Sequence, residues 1–458
     1  MVKKARVAHV LIFPYPAQGH INPMIQFGKR LTAANRVKAT LATTIFISKS
    51  MHLNESTGSV QIDTISDGYD ESGYAGAEST KAYLSSFQSA GSRTLAHLIQ
   101  RHSSSNHPID CVVYDAVVPW ILDVAKDHGL AGAAFFTQPC AVSNIAYYVY
   151  RGLLPLPVSS NLVSVPGLPF LEVGDLPSFI SKPDVYPAYL EATLHKFSNL
   201  DKADFVLINT VYELEEKAVD AISTQWQILP IGPSIPSFYL DNRVKKDKAY
   251  GLSLFNSDYK TVTNWLEDKP PNSVVYVSFG SVANLGQEQM KELARGLKAS
   301  NCYFLWVIRA SEQALLLKHT IAETGKKGMI VEWCAQLEVL ASEAVGCFLT
   351  HCGWNSTLEA LCLGVPIVAM PQWADQTTNA KLVQDVWKAG LRVTSEEKGI
   401  VRGREIAGCI REVMHGAKAE EMKANAMRLS RLVRAAVSEG GTSAKNIDKF
   451  VSILEEQS

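Results

Sequence analysis

Residues 333–376 read WCAQLEVLASEAVGCFLTHCGWNSTLEALCLGVPIVAMPQWADQ. Val345–Thr350 is a short apolar run, which predicts a buried strand. His351, Cys352, Gly353 and Trp354 follow as a turn. Asn355 and Ser356 are N-cap types, and they open a helical pattern through Leu358, Leu361 and Cys362. A strand that turns through glycine into a helix aims unpaired N–H groups at one spot. The positive end of the helix dipole adds to them, so the spot suits a phosphate. A second strand, Pro366–Met370, runs into Gln372, Trp373, Asp375 and Gln376, groups suited to a hydroxyl-rich ligand.

The same grammar extends outward on both sides. Upstream, a helix near Trp265 leads to the strand Val274–Phe279, which ends in Gly280 and Ser281. Tyr303–Ile308 and Met329–Val331 are further strands. The first half alternates likewise: Val7–Phe13, Leu41–Phe46, Val60–Ile65, Ile109–Tyr114, Leu130–Phe135 and Phe205–Asn209 are predicted strands, and Tyr83–Arg101 a helix. Asn22 and Pro23 predict the start of the first helix, with Met24, Phe27 and Leu31 on one face. This βα alternation predicts an α/β fold of doubly wound parallel sheets. Residues 155–187 are proline-rich and irregular, an excursion expected to wall a pocket. Residues 230–259 break the pattern and read as a linker. Ile447–Leu454 has helical periodicity.

The chain has 458 residues, enough for two domains, and 47% are hydrophobic. A formal net charge of −1 without a basic stripe argues against nucleic acid. The 8 cysteines form no C-x-x-C pair. Cys347, His351 and Cys352 lack paired metal-ligand spacing. Free thiols suit a reducing cytosol. The apolar run after Lys3, Lys4 and Arg6 is too short for a signal peptide and stops at Pro14. No stretch reaches the ~18 apolar residues of a membrane helix.

Several residues have two readings from sequence alone. Trp333 can stack on a base or fill a core. Glu359 can accept from both hydroxyls of a ribose, or it can close a capping box with Ser356. Asp375 can face sugar hydroxyls or cap a helix. His20 and Asp115 follow strands on the same sheet edge, where open α/β sheets bind ligands. An imidazole oriented by a carboxylate makes a base near neutral pH. Taken singly, His20 also reads as a loop histidine and Asp115 as an N-cap.

The stretch from Trp333 through HCGWNS and Glu359 to Asp375-Gln376 resembles the signature box of plant secondary-product UDP-glycosyltransferases, the family 1 enzymes. The resemblance covers this box and the PAQGHINP loop around His20 tightly and the rest of the chain loosely, and within the family it is most similar to the branch numbered 74. The chain departs from the box at Ala335, where the family has proline, and at Ser342, where it has histidine. The resemblance implies the GT-B fold, two Rossmann-like domains facing across a cleft. The expected boundaries are 1–240 for acceptor binding, 241–260 for a linker and 261–440 for the UDP-sugar. A C-terminal helix, 441–458, is expected to pack toward the first domain. The implied donor site holds Gly280, Ser281, Trp333, Cys334, Ala335, Gln336, His351, Gly353, Trp354, Asn355, Ser356, Glu359, Trp373, Asp375 and Gln376. His20 is the implied base and Asp115 its partner. Tyr15, Phe136, Tyr147, Tyr148 and Phe179 are candidate acceptor-pocket residues.

The expected reaction is inverting transfer of glucose from UDP-glucose to a hydroxyl or carboxyl of a lipophilic small molecule, giving a β-glucoside. No DxD-type motif precedes the box, so no metal or other cofactor is expected. The enzyme is expected to act as a cytoplasmic monomer. Other classes share parts of this pattern. A nicotinamide-dependent oxidoreductase lacks support, because no G-x-G-x-x-G follows a strand. A non-catalytic nucleotide-sugar binder does not require His20 with Asp115. A sugar-nucleotide epimerase turns over without an acceptor.

Overall fold

The computed structural model describes residues 6–33, 36–50, 52–53, 58–250, 252–253, 259–281, 283–313, 327–396 and 399–457. The chain forms two units. The first comprises Met1–Val173, Phe179–Leu254 and Arg434–Ser458. The second comprises Gly174–Ser178 and Phe255–Val433.

The first unit is built on seven parallel strands: β1 Ala8–Phe13, β2 Val37–Thr44, β3 Gln61–Ile65, β4 Cys111–Asp115, β5 Ala131–Phe136, β6 Phe205–Ile208 and β7 Ile228–Pro230. Their order in the sheet is β3-β2-β1-β4-β5-β6-β7. The order reverses between β1 and β4, which pair directly, with Phe13 opposite Tyr114. At such a switch point the two adjacent carboxyl ends splay their loops apart and leave a crevice.

The first helix, α1 Gln18–Thr32, starts earlier than Asn22 and carries Pro23 inside it. Its first turn closes when the Ala17 carbonyl accepts from the N–H groups of His20 and Ile21, both at 2.9 Å. An interior proline costs about 3 kcal/mol. Ile21, Met24, Phe27 and Leu31 are buried on the same helix, and each contributes about 1.5–3 kcal/mol. Burial therefore outweighs the broken ladder, and His20 sits on a helical turn rather than in a loop. The second strand also ends sooner than its apolar run suggests, because Ile45–Ser50 turns helical.

The C-terminal helix, α2 Thr442–Gln457, belongs to the first unit. Phe450 packs against Phe27 and Phe205, with ring centroids 5.8 and 4.9 Å away. Ser443 donates to the Gly232 carbonyl at 2.6 Å and Asn446 to that of Pro230 at 2.8 Å. Residues 237–249 are pinned to α1. Lys29 Nζ lies 2.9 Å from Asp247 with both side chains buried, and Arg30 forks onto Asp241.

The second unit has six parallel strands: β8 Val274–Ser278, β9 Tyr303–Val307, β10 Gly328–Val331, β11 Val345–Thr350, β12 Ile367–Ala369 and β13 Gly390–Arg392. Their order is β10-β9-β8-β11-β12-β13. Its switch point lies between β8 and β11, where Ser278 pairs with Thr350. Two Rossmann-like sheets thus each present one crevice.

Candidate active site

In the first unit the switch point brings His20 and Asp115 together. His20 Nδ1 lies 2.6 Å from Asp115 Oδ2. The Asp115 side chain is 1% exposed and that of His20 26%. Asp115 also accepts from the backbone N–H groups of Tyr15 and Val117, each at 3.3 Å. Those donors hold the carboxyl group in place, and it accepts a hydrogen bond from the Nδ1–H of the imidazole. Nε2 then carries the lone pair. Thr137, which the sequence reading missed, places its Oγ1 3.2 Å from the same Nδ1.

Aromatic rings extend from this pair. The Tyr15 ring lies 5.3 Å from His20 and 6.1 Å from Phe87. Phe87 meets Tyr83, Tyr83 meets Tyr74, and the Tyr74 hydroxyl lies 3.3 Å from that of Tyr189. Tyr189 stacks on Phe179 at 5.1 Å. Tyr15 and Phe179 therefore belong to one aromatic wall, and Tyr74, Tyr83, Phe87 and Tyr189 complete it. Burial, then neighbouring phenols and the carboxylates of Asp115 and Asp67, push the Tyr15 hydroxyl above its ordinary range. It stays neutral and able to donate. Tyr147 lies in a different cluster, with Trp226 at 4.9 Å and Phe197 at 5.5 Å, and its hydroxyl is held by Gln225 and Arg151. Phe136 is buried beside Phe197 and the Lys196 ammonium. Tyr148 is half-buried on the helix Cys140–Tyr150.

In the second unit the switch point gathers the box residues. The helix α3 Trp354–Leu363 has Gly353 at its N-cap, no side-chain cap and no acidic residue in its first turn. Asn355 and Ser356 therefore lie inside the first turn instead of capping it, and Ser356 and Glu359 do not form a capping box. The positive end of the helix dipole lies at that turn, an arrangement that suits an anion. His351 follows β11, beside Gly280 and Gly353. A Cβ on Gly280 would lie 2.9 Å from the imidazole, and one on Gly353 2.6 Å, so both positions need glycine for the ring to fit. Burial lowers the His351 pKa to about 4. It is a neutral N–H donor at pH 7, not a cation. Cys347 is buried in the sheet core, and burial pushes its thiol up, away from metal-binding thiolate.

Trp333 follows β10 and is half-buried, so it is not a core tryptophan. Gln336 Nε2 donates to Glu359 Oε2 at 2.6 Å and to Ser356 Oγ at 3.0 Å. The buried Tyr276 hydroxyl donates to Gln336 Oε1 at 3.2 Å and also lies 3.4 Å from the Cys334 sulfur. Glu359 is thus aimed by a chain of polar contacts from β8. Ala335 and Ser342 line a cavity of about 230 Å³ with Val262, Leu266 and Val339.

The loop after β12 ends at helix α4, Gln376–Lys381, with Asp375 before it. Asp375 makes no side-chain cap there; its carboxylate accepts from Asn379 at 2.6 Å. Asn379 also donates to the Cys352 carbonyl at 2.9 Å, bridging this loop to the HCGW turn. Gln376 Oε1 accepts from the N–H groups of Gln372 and Trp373 at 2.9 and 3.0 Å. Ala374 has φ +56, a left-handed conformation that costs a side-chain-bearing residue about 1–2 kcal/mol. Arg309, also missed in the sequence, holds the loop after β8: it donates to the carbonyls of Ser281, at 2.6 Å, and of Ala283, and pairs with Glu312.

The sequence model of the UDP-glucoronosyl and UDP-glucosyl transferase family matches residues 259–437. UDP-glycosyltransferase 74F2 of Arabidopsis thaliana is 50% identical, covering 98% of each chain. Flavonol 7-O-beta-glucosyltransferase UGT74F1 of the same plant is 47% identical, again covering 98% of each. The crystal structure of Os79 from O. sativa in complex with UDP superposes with a TM-score of 0.92 at 41% identity, covering 97% of this chain and 100% of that one. The fold is that of the GT-B glycosyltransferases.

Proposed function

The chain belongs to the UDP-glucoronosyl and UDP-glucosyl transferase family, and from that premise we propose how its own residues transfer glucose from UDP-glucose to a lipophilic acceptor. The acceptor group in this reading is a hydroxyl, above all that of a phenol. The aromatic wall from Tyr15 to Phe179 supports it, as does the flavonol acceptor named for one relative.

The single observation that carries the catalytic reading is the 2.6 Å contact between His20 Nδ1 and Asp115. His20 Nε2 takes the acceptor proton. Asp115 stabilises the imidazolium that forms. The acceptor oxygen attacks the anomeric carbon as the bond from that carbon to the diphosphate breaks. Attack from the face opposite UDP inverts the centre and gives a β-glucoside. The proton passes from His20 to solvent. A non-catalytic binder has no use for so close and buried a pair.

On the donor side, Trp333 stacks on uracil and Glu359 accepts from the ribose hydroxyls, aimed by Gln336. Gly280, Ser281, Gly353, Asn355, Ser356 and the neutral His351 receive the diphosphate. Cys334, Ala335 and Trp354 shape the loop and turn around it. Trp373, Asp375 and Gln376 face the glucose. Because the carbonyl oxygen of Gln376 serves the turn, its Nε2 is the atom offered to a sugar hydroxyl.

The leaving group is stabilised in this reading by N–H groups at the start of α3, and the sequence has no DxD-type motif to hold a metal. Activity should therefore survive excess chelator unchanged. Loss in chelator that magnesium or manganese restores would overturn this. One copy of the chain carries every residue in this scheme, so we assign a monomer. All eight cysteines are unpaired, which supports a reducing cytosol. Among the described residues, no helix is long and apolar enough to cross a membrane. The test of the whole reading is incubation with UDP-glucose and a panel of phenols, terpenoids, steroids and carboxylic acids. Acceptors should gain one glucosyl unit as UDP appears. UDP-glucose turnover without any acceptor product would refute it.

A further inference from the structure

Five residues of the irregular excursion, Gly174–Ser178, leave the first unit and belong to the second. They lie along the loop that ends the box. Ser178 binds both backbone groups of Ala374: its N–H donates to the Ala374 carbonyl at 2.8 Å, and its Oγ accepts from the Ala374 N–H at 2.7 Å. Thr377 donates to the Leu176 carbonyl at 2.7 Å, and Thr378 to that of Asp175 at 2.6 Å. The Asp175 carboxylate takes Arg392 at 2.7 Å and Lys381 at 3.4 Å. The segment thus grips the left-handed turn at Ala374, the first residues of α4 and the lysine at its end. Sequence separations of about 200 residues make these contacts purely tertiary.

We propose that Gly174–Ser178 is a positioning strap for the sugar end of the donor site, with Ser178 fixing the Ala374 turn that aims Asp375 and Gln376. The inference rests on the reading that those two residues meet the glucose. Helix α4 starts without a side-chain cap, so its first turn depends on contacts from outside the helix. Ala374, as a side-chain-bearing residue in the left-handed region, relaxes toward negative φ once the bond from its N–H to Ser178 Oγ is lost. That relaxation swings the neighbouring Asp375 and displaces the sugar relative to the fixed uracil and ribose contacts. Ser178 touches no reacting atom. It acts through Ala374.

The test measures UDP-glucose and UDP-galactose kinetics, UDP affinity by calorimetry and melting temperature for Ser178→Ala, Ser178→Thr and Gln376→His. Ser178→Ala should lower kcat/KM for UDP-glucose about tenfold, the scale of a small misplacement of reacting groups. It should narrow the preference for glucose over galactose, and UDP affinity should stay within about twofold. Ser178→Thr keeps the hydroxyl acceptor and should restore most of the loss. Unchanged donor kinetics in Ser178→Ala would overturn the strap. So would a fall in UDP affinity and melting temperature in step with activity, or no rescue by threonine. Gln376→His separates this failure from failure of the sugar-site reading. It should shift the preference toward galactose even if Ser178→Ala does nothing. If neither variant changes the ratio, Asp375 and Gln376 do not face the sugar, and the strap proposal falls with them.

Discussion

His20→Ala lowers turnover on a weakly acidic alcohol about 10²–10⁴-fold, the usual worth of a positioned general base. UDP affinity should not change, because the residues proposed to hold the nucleotide belong to the other sheet. Asp115→Ala also loses activity. Without it the imidazole loses its partner at 2.6 Å, its tautomer is no longer set and its cation is less stable. Asp115 acts only through His20, so the double variant is little worse than His20→Ala alone. A carboxylic acid acceptor is already ionised near neutral pH and suffers less. Turnover of the wild type, both single variants and the double variant on one phenol, one alcohol and one acid checks all of this. Near-normal alcohol turnover in His20→Ala removes it as the base. Strictly multiplicative losses in the double variant break the pairing.

Trp333→Ala is the second large effect. Base stacking on an indole is worth about 1–3 kcal/mol, so UDP affinity should fall roughly 5- to 150-fold. The half-buried ring contributes less to the core than Trp306, which is 1% exposed, so melting temperature should move little. Calorimetry with UDP, followed by competition with ADP and NAD, reads both the size of the effect and the preference for uracil. Unchanged UDP affinity in the variant would place Trp333 outside the nucleotide site. Equal affinity for ADP in the wild type would remove the uracil assignment.

Much of the candidate site's geometry was legible because its parts are local in sequence. The HCGWNS turn lies between a strand and a helix, and periodicity alone marks both. His20 comes after β1 and Asp115 ends β4, strands of the same parallel sheet, so the fold class already put them on one edge. What sequence could not provide is contact between distant segments. Ser178 meets Ala374 across 196 residues, and nothing around GDLPS signals it. No sequence pattern points Arg309 at the carbonyls of Ser281 and Ala283. Asn379 stands out in no sequence pattern, yet it is buried between the Cys352 carbonyl and Asp375. Pro23 misled for a different reason. A rule for isolated helices put the start of α1 at Asn22, whereas the buried face of Ile21, Met24, Phe27 and Leu31 begins it at Gln18. The aromatic candidates divided by tertiary position. Tyr15 and Phe179 share the wall that begins at His20, and Tyr147 stacks with Trp226 instead.

The central claim is a direct displacement: one base frees the acceptor oxygen, and that oxygen replaces UDP at the anomeric carbon. The configuration of the product reads this step without reference to any variant. UDP-α-glucose and a simple phenol should give a single glucoside whose anomeric proton shows the large coupling of a β linkage by NMR. An α-glucoside, or a mixture of anomers formed during turnover, would contradict the account.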